Sequence, residues 1–131
     1  MTSDTLTLRV YYEDTDLAGI VYYANYLKFI EPGRTEFVRA RGIDQSALKA
    51  DQGIVFAVRR VEADYLAPAR FDDLLHVETV VTEVKGASIL MDQTISRDGM
   101  VLFRAKVTLV CLNSAGRAQR MPDAVRLSLT L

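Results

Sequence analysis

Arg9 to Arg41 reads RVYYEDTDLAGIVYYANYLKFIEPGRTEFVRAR, and this stretch joins a strand to a helix through an acidic turn. On its upstream side Leu6, Leu8, Val10 and Tyr12 fall on one face of a two-residue repeat, which predicts a strand over 6–12. Residues 13–21, with Glu13-Asp14-Thr15-Asp16 and Ala18-Gly19, predict a loop. From about Tyr22 to Arg41 the positions Tyr26, Leu27, Ile30, Phe37 and Val38 follow helical spacing, and Gly42 is a stop signal. Pro32 conflicts with that helix, since it lacks an N–H and presses on the preceding turn, so a kink is expected near Lys28 to Glu31. Gly33 lies on the Tyr26/Ile30/Phe37 face, where a missing side chain permits close packing on a sheet.

Beyond the helix the period changes. Asp44 is placed to cap a short helix over Gln45 to Asp51 that ends at Gly53. Strands are then predicted at about 54–66, 74–85, 87–97 and 100–113, with hairpin turns at Lys85-Gly86 and Asp98-Gly99. Val125, Leu127, Leu129 and Leu131 alternate with polar residues, which reads as a short extra strand or a tail lying on the sheet. One long helix and a mainly antiparallel sheet define an α+β domain spanning 1–131, with the sheet curling around the helix. Such an open sheet has edges that want covering, so a dimer pairing two sheets edge to edge is expected.

At 131 residues and 50% hydrophobic composition the chain can bury a real core. A net charge of −1, with its basic residues dispersed, excludes a nucleic-acid surface. The start lacks a basic-then-apolar leader, and no apolar run approaches the ~20 residues that span a bilayer, so a cytoplasmic protein is expected. Cys111 has no partner for a disulfide and reads as a small buried residue.

The chemistry points to one carboxylate. Asp16 sits on a turn whose flanks are apolar and aromatic, and Gly19 beside it lets backbone or ligand approach closely. A carboxylate near the free N–H groups of a helix start is what hydrolysis of an activated acyl group requires. Other chemistries find no residues. Asp14-x-Asp16-x-x-Gly19 lacks the closing ligands of a calcium loop, His76 stands alone within a strand, and no nucleophile elbow or phosphate-cradling loop occurs, so neither metal nor cofactor is expected. Thioester hydrolysis suits this scarcity, because a thiol of pKa roughly 8.5 departs as a thiolate without a general acid.

YEDTDLAGIVYYANYLKFIEPGRTEF (Tyr12 to Phe37) resembles the signature of hotdog-fold acyl-CoA thioesterases of the 4-hydroxybenzoyl-CoA thioesterase type, in particular those associated with the bacterial Tol-Pal system. FAVRRVEADYLAPARFDDLLHVET and the Lys85-Gly86-Ala87-Ser88 turn extend the resemblance over about residues 8–122. The resemblance implies a five-stranded sheet wrapped around a central helix, with active sites at a homodimer interface and often a homotetramer. It implies an acyl-CoA substrate, with Asp16 as nucleophile or as general base on water and the Tyr23 backbone N–H polarising the carbonyl. Gly19, Val21, Tyr22, Tyr26, Arg59, Lys85, Gly86 and Ser88 are the candidate substrate contacts, with pantetheine and phosphate expected near the Lys85 turn. Many relatives carry His where this chain has Tyr23, so a step that needs an imidazole does not carry over. The alternative is a non-catalytic acyl-CoA-binding or envelope-associated adaptor with the same fold.

Overall fold

Two short turns join the last three strands, and a computed structural model describing residues 3–130 shows what they build. Strands β1 (Ser3–Arg9), β2 (Val55–Tyr65), β3 (Leu74–Val84), β4 (Ser88–Arg97) and β5 (Met100–Leu112) form one antiparallel sheet in the order β1-β3-β4-β5-β2. The β4–β5 turn has φ of 51° at Asp98 and 81° at Gly99, the two left-handed residues that a tight hairpin demands. Helix α1 (Asn25–Ala40) lies against β1, β3 and β4, and α2 (Gln45–Gln52) follows it. Asp44 caps α2 as expected, its Oδ1 accepting the Ala47 N–H at 3.0 Å, and Gly53 closes the helix at φ 66°. No helix among the described residues is long and apolar enough to cross a membrane.

Helix α1 is continuous across Pro32 and is seated on the sheet by Gly33. A methyl group added at Gly33 would meet Thr79 Oγ1 and Val77 Cγ1, each at 2.9 Å, so only glycine allows this approach. Beside it Gln93, fully buried in β4, donates to the Ile30 carbonyl at 2.8 Å and to Thr79 Oγ1 at 2.9 Å. Its Oε1 accepts from Arg34 Nη1 at 3.0 Å. Every polar atom of that amide is therefore engaged, which removes the cost of burying it. Desolvation lowers the pKa of the Arg34 guanidinium, with Glu31 opposing the shift.

Four expectations are corrected. The strand does not reach Tyr12: a 3-10 turn, Tyr12–Asp14, breaks away because Asp14 Oδ2 accepts the Tyr11 N–H at 2.8 Å, leaving Tyr12 exposed. The helix begins at Asn25 rather than Tyr22, after the Asn25 N–H has turned back to the Tyr22 carbonyl. The buried face runs through Tyr26, Phe29, Ile30, Gly33 and Phe37, so Phe29, three residues from Tyr26, is buried and Leu27, about 100° around from Tyr26, is exposed. The C-terminal tail is helix α3 (Asp123–Thr130), neither strand nor draped tail. Val125 and Leu129, four apart, are buried while Leu127 points out, and Pro122 supplies the carbonyl for the first turn. Leu131 lies outside the described residues.

Candidate active site

The loop between β1 and α1 is a small hairpin closed by the Thr15–Val21 bridge. At its tip the Asp16 N–H donates to the Ile20 carbonyl at 3.0 Å and the Gly19 N–H to the Asp16 carbonyl at 2.9 Å. Gly19 adopts φ 81°, which an L side chain resists. The Asp16 side chain is oriented by its own turn, Oδ1 accepting the Ala18 N–H at 2.9 Å. Its other oxygen has no donor among the described residues, and the residue is exposed. Glu13 is also exposed, and Asp14 spends its carboxylate on the Tyr11 N–H, so both serve the turn.

The far side of the loop leads into the helix start. The Tyr22 N–H and Asn25 Nδ2 both donate to the Asp14 carbonyl, at 3.0 and 2.9 Å. The Tyr23 N–H has no acceptor among the described residues. It stands at the positive end of a 16-residue helix, where free donors favour developing negative charge. Tyr22 and Tyr23 present half-exposed rings with centroids 5.0 Å apart.

An anchor holds this arrangement from below. The bend 67–73 places Ala69, which is fully buried, so that its carbonyl accepts the Val21 N–H at 2.9 Å. The Ala69 N–H donates to the Tyr26 hydroxyl, also at 2.9 Å. Val21 and Tyr26 are thus interior residues that fix the loop and helix rather than walls of an open cleft. Asp73 ties the bend to β4 through Arg97.

The remaining candidates lie elsewhere. Arg59 is the extra residue of a β2 bulge between Val58 and Arg60, and it is exposed. Lys85 and Gly86 form the β3–β4 connection, with the Lys85 N–H donating to the Ser88 carbonyl at 2.8 Å, and Ser88 itself is buried. The Asp16 loop adjoins the Leu74 end of β3 through the Ile20–Arg70 bridge, whereas Lys85 follows Val84 at the other end. Eleven residues of strand separate the two, which is about 36 Å at ~3.3 Å per residue. Within one chain the candidate set is therefore two groups at opposite ends of the sheet.

Two residues near these groups had not been singled out in the sequence. Arg120 folds over the Lys85 turn, its Nη1 3.1 Å from where a Gly86 methyl group would stand. Tyr65, at the end of β2, donates its hydroxyl to the Tyr23 carbonyl at 2.9 Å. Desolvation, with Tyr23 and Tyr26 alongside, raises its pKa above the ordinary tyrosine value. Cys111 is buried and its thiol pKa is likewise pushed up, which leaves it inert. His76 meets Thr7 Oγ1 at 3.2 Å, across the β1–β3 pairing.

Known proteins carry the same arrangement of strands and helix. The acyl-CoA thioesterase YbgC of Haemophilus influenzae is 46% identical over 106 residues, covering 81% of this chain and 78% of that protein. Its namesake from Helicobacter pylori is 39% identical over 123 residues, covering 89% and 90%. A probable thioesterase from Bartonella henselae superposes with a TM-score of 0.88 at 35% identity, over 92% of this chain and all of that one. A mutant 4-hydroxybenzoyl-CoA thioesterase complexed with 4-hydroxybenzoyl-CoA gives 0.91 at 24% identity over 97% and 98%, a likeness of fold. With the match to the family running from residue 10 to 129, through the loop, the helix and strands β2 to β5, the chain belongs to the thioesterase-like superfamily.

Proposed function

We propose that the protein hydrolyses acyl-CoA thioesters to a carboxylic acid and coenzyme A. The observation that carries this is the pairing of Asp16, with one carboxylate oxygen free, and the unpartnered Tyr23 N–H at the start of α1. In this reading the thioester carbonyl oxygen accepts the Tyr23 N–H, a donor of a kind worth about 3 kcal/mol of barrier. Asp16 either attacks the carbonyl carbon or takes a proton from an attacking water. In either case the C–S bond breaks and coenzyme A leaves as thiolate, so no general acid and no histidine are required; after direct attack, water then hydrolyses the acyl anhydride on Asp16, releasing the carboxylic acid and restoring the carboxylate. Coenzyme A belongs to the substrate, and the reaction calls for no cofactor or metal. The cytoplasm, where acyl-CoA is made and used, is the setting that fits.

The site is completed by a second copy. Val58, Val61 and Tyr65 on the helix side of β2 are 46%, 37% and 46% exposed, because α1 covers the other half of the sheet. The outer edge of β2 has no neighbouring strand among the described residues. Antiparallel pairing of two β2 edges about a two-fold axis covers both deficits. It also turns the partner's Lys85–Ser88 end toward this Asp16 end, which reunites the two groups of candidates across the interface. Gly19 and Tyr22 then face the acyl and thioester portion, and Arg59, Lys85 and Gly86 face the pantetheine and phosphates. Such dimers can assemble further into tetramers.

Two measurements test this. Thiol release from a panel of short, long and aromatic acyl-CoA substrates is expected to give turnover on at least one class. Tight binding without thiol release from any substrate would favour a non-catalytic acyl-CoA carrier. Val61→Arg is expected to yield monomers in sedimentation, since it buries a charge at the two-fold contact, and to lose activity with the dimer. A dimeric, active Val61→Arg variant overturns the β2 interface.

A further inference from the structure

Tyr65 is joined to the helix start by a bond that the local backbone leaves open. In a regular first turn the Leu27 N–H would reach the Tyr23 carbonyl. Here it goes to Ala24 instead, at 3.2 Å. The Tyr65 hydroxyl, at 2.9 Å, is then the one donor to the Tyr23 carbonyl among the described residues. The ring that delivers it is held on three sides, with centroids 6.2 Å from Tyr23, 5.3 Å from Tyr26 and 5.1 Å from Phe103. Phe103 is also its register partner on β5. Strand β2 thus reaches across the sheet end to grip the residue whose N–H is the candidate carbonyl donor.

We propose that Tyr65 is a positioning residue for the reaction: by holding the Tyr23 carbonyl, its hydroxyl fixes the Tyr23–Ala24 peptide plane and, through the shared Tyr23 Cα, limits the swing of the adjoining Tyr22–Tyr23 peptide whose N–H is aimed at the substrate. The proposal rests on the hydrolase reading above. The physical reason is preorganisation. An oxyanion donor accelerates reaction only if it is already oriented when charge develops, and a free first-turn peptide would have to be ordered at each turnover. The bond also polarises the Tyr23–Ala24 peptide, which makes the Ala24 N–H a stronger donor. The raised Tyr65 pKa keeps the phenol protonated, and therefore donating, throughout the neutral range.

Tyr65→Phe isolates the hydroxyl, because the ring and its packing stay. In the full-length protein, kcat on the best acyl-CoA is expected to fall on the order of tenfold, the scale of a misaligned catalytic geometry, with KM and melting temperature near wild type. In the same variant the 15N resonance of Ala24, whose peptide loses its carbonyl bond, is expected to shift. Tyr65→Leu, which removes the ring as well, is expected to raise KM and lower the melting temperature besides. An unshifted Ala24 resonance overturns the proposal by removing the bond. A shifted resonance with unchanged kcat overturns it by removing the consequence. A fall in kcat matched by a comparable rise in KM and loss of thermal stability assigns Tyr65 to packing and overturns it too. Wild-type protein that releases no thiol from any acyl-CoA refutes the hydrolase reading instead, and the Ala24 resonance still reports on the bond.

Discussion

Asp16→Asn is expected to fold as the wild type does and to lose at least about a hundredfold in kcat on acyl-CoA, the usual weight of a positioned base or nucleophile. The fold is spared because the one bond the side chain makes is an acceptance, from the Ala18 N–H to Oδ1, and an asparagine oxygen can accept it equally well. Asparagine also tolerates the turn. What the amide lacks is the second oxygen's lone pair as anion, so it neither attacks a carbonyl nor draws a proton from water. Binding of substrate is expected to survive, which calorimetry with a slowly turned-over acyl-CoA can show. Glu13→Gln is the matched control: it is exposed, and a surface change of that kind keeps activity within about twofold. Full turnover in Asp16→Asn removes this carboxylate from the mechanism.

Gly33→Val is expected to lower the melting temperature by roughly 10 °C or more. Two effects compete. Replacing glycine in a helix interior gains up to about 1 kcal/mol of backbone propensity, less for a β-branched residue. Against this, even the first added carbon would stand 2.9 Å from both Thr79 Oγ1 and Val77 Cγ1 and 3.1 Å from Gln93 Nε2. Val77 and Thr79 are stiff, β-branched and fully buried, so they cannot give way. Overpacking costs about 1–3 kcal/mol for small intrusions, and here it also breaks the Gln93 bonds to Ile30 and Thr79. A net loss near 3 kcal/mol, at about 4 °C per kcal/mol for a domain of this size, gives the stated shift. Calorimetry on the variant decides it, and a melting temperature within 2–3 °C of wild type, inside ~1 kcal/mol, would show that α1 can ride higher on the sheet than its packing indicates.

The parts of this fold that were legible in the sequence are those written in local chemistry. Asp98-Gly99 announces a turn that needs two left-handed residues, Asp44 and Gly53 bracket α2, and Gly33 on an otherwise bulky helical face announces close contact. The parts that were not depend on partners distant in the chain. Tyr12 continues the strand alternation, but the Asp14 side chain turns the backbone before it arrives. Phe29 rather than Leu27 is buried because the face that Gly33 seats against β3 is centred on Tyr26, Ile30 and Phe37, and Leu27 lies at its margin. In α3 a spacing of four residues between Val125 and Leu129 satisfies both periods, and Pro122-Asp123 was the start signal that separates them. The site divides the same way. Asp16, Gly19 and Tyr23 share one loop and could be read together. Tyr65 is 42 residues from the carbonyl it holds, and nothing in either segment alone gives that bond away. The separation of the Lys85 turn from Asp16 follows only from the direction of β3.

The strand order also has a temporal side. β3, β4 and β5 are joined by short connections, so their pairings close small loops at little entropic cost, whereas β1 must meet β3 across everything between them. As the chain emerges from the ribosome, β1, the acidic loop and α1 come first. They find no sheet to settle on until β3 has been made, and no buried amide to receive the Ile30 carbonyl until Gln93 in β4 has followed. The segment that carries the candidate site is synthesised before the strands that complete it, and in the interval its apolar helix face has no sheet of its own to cover it.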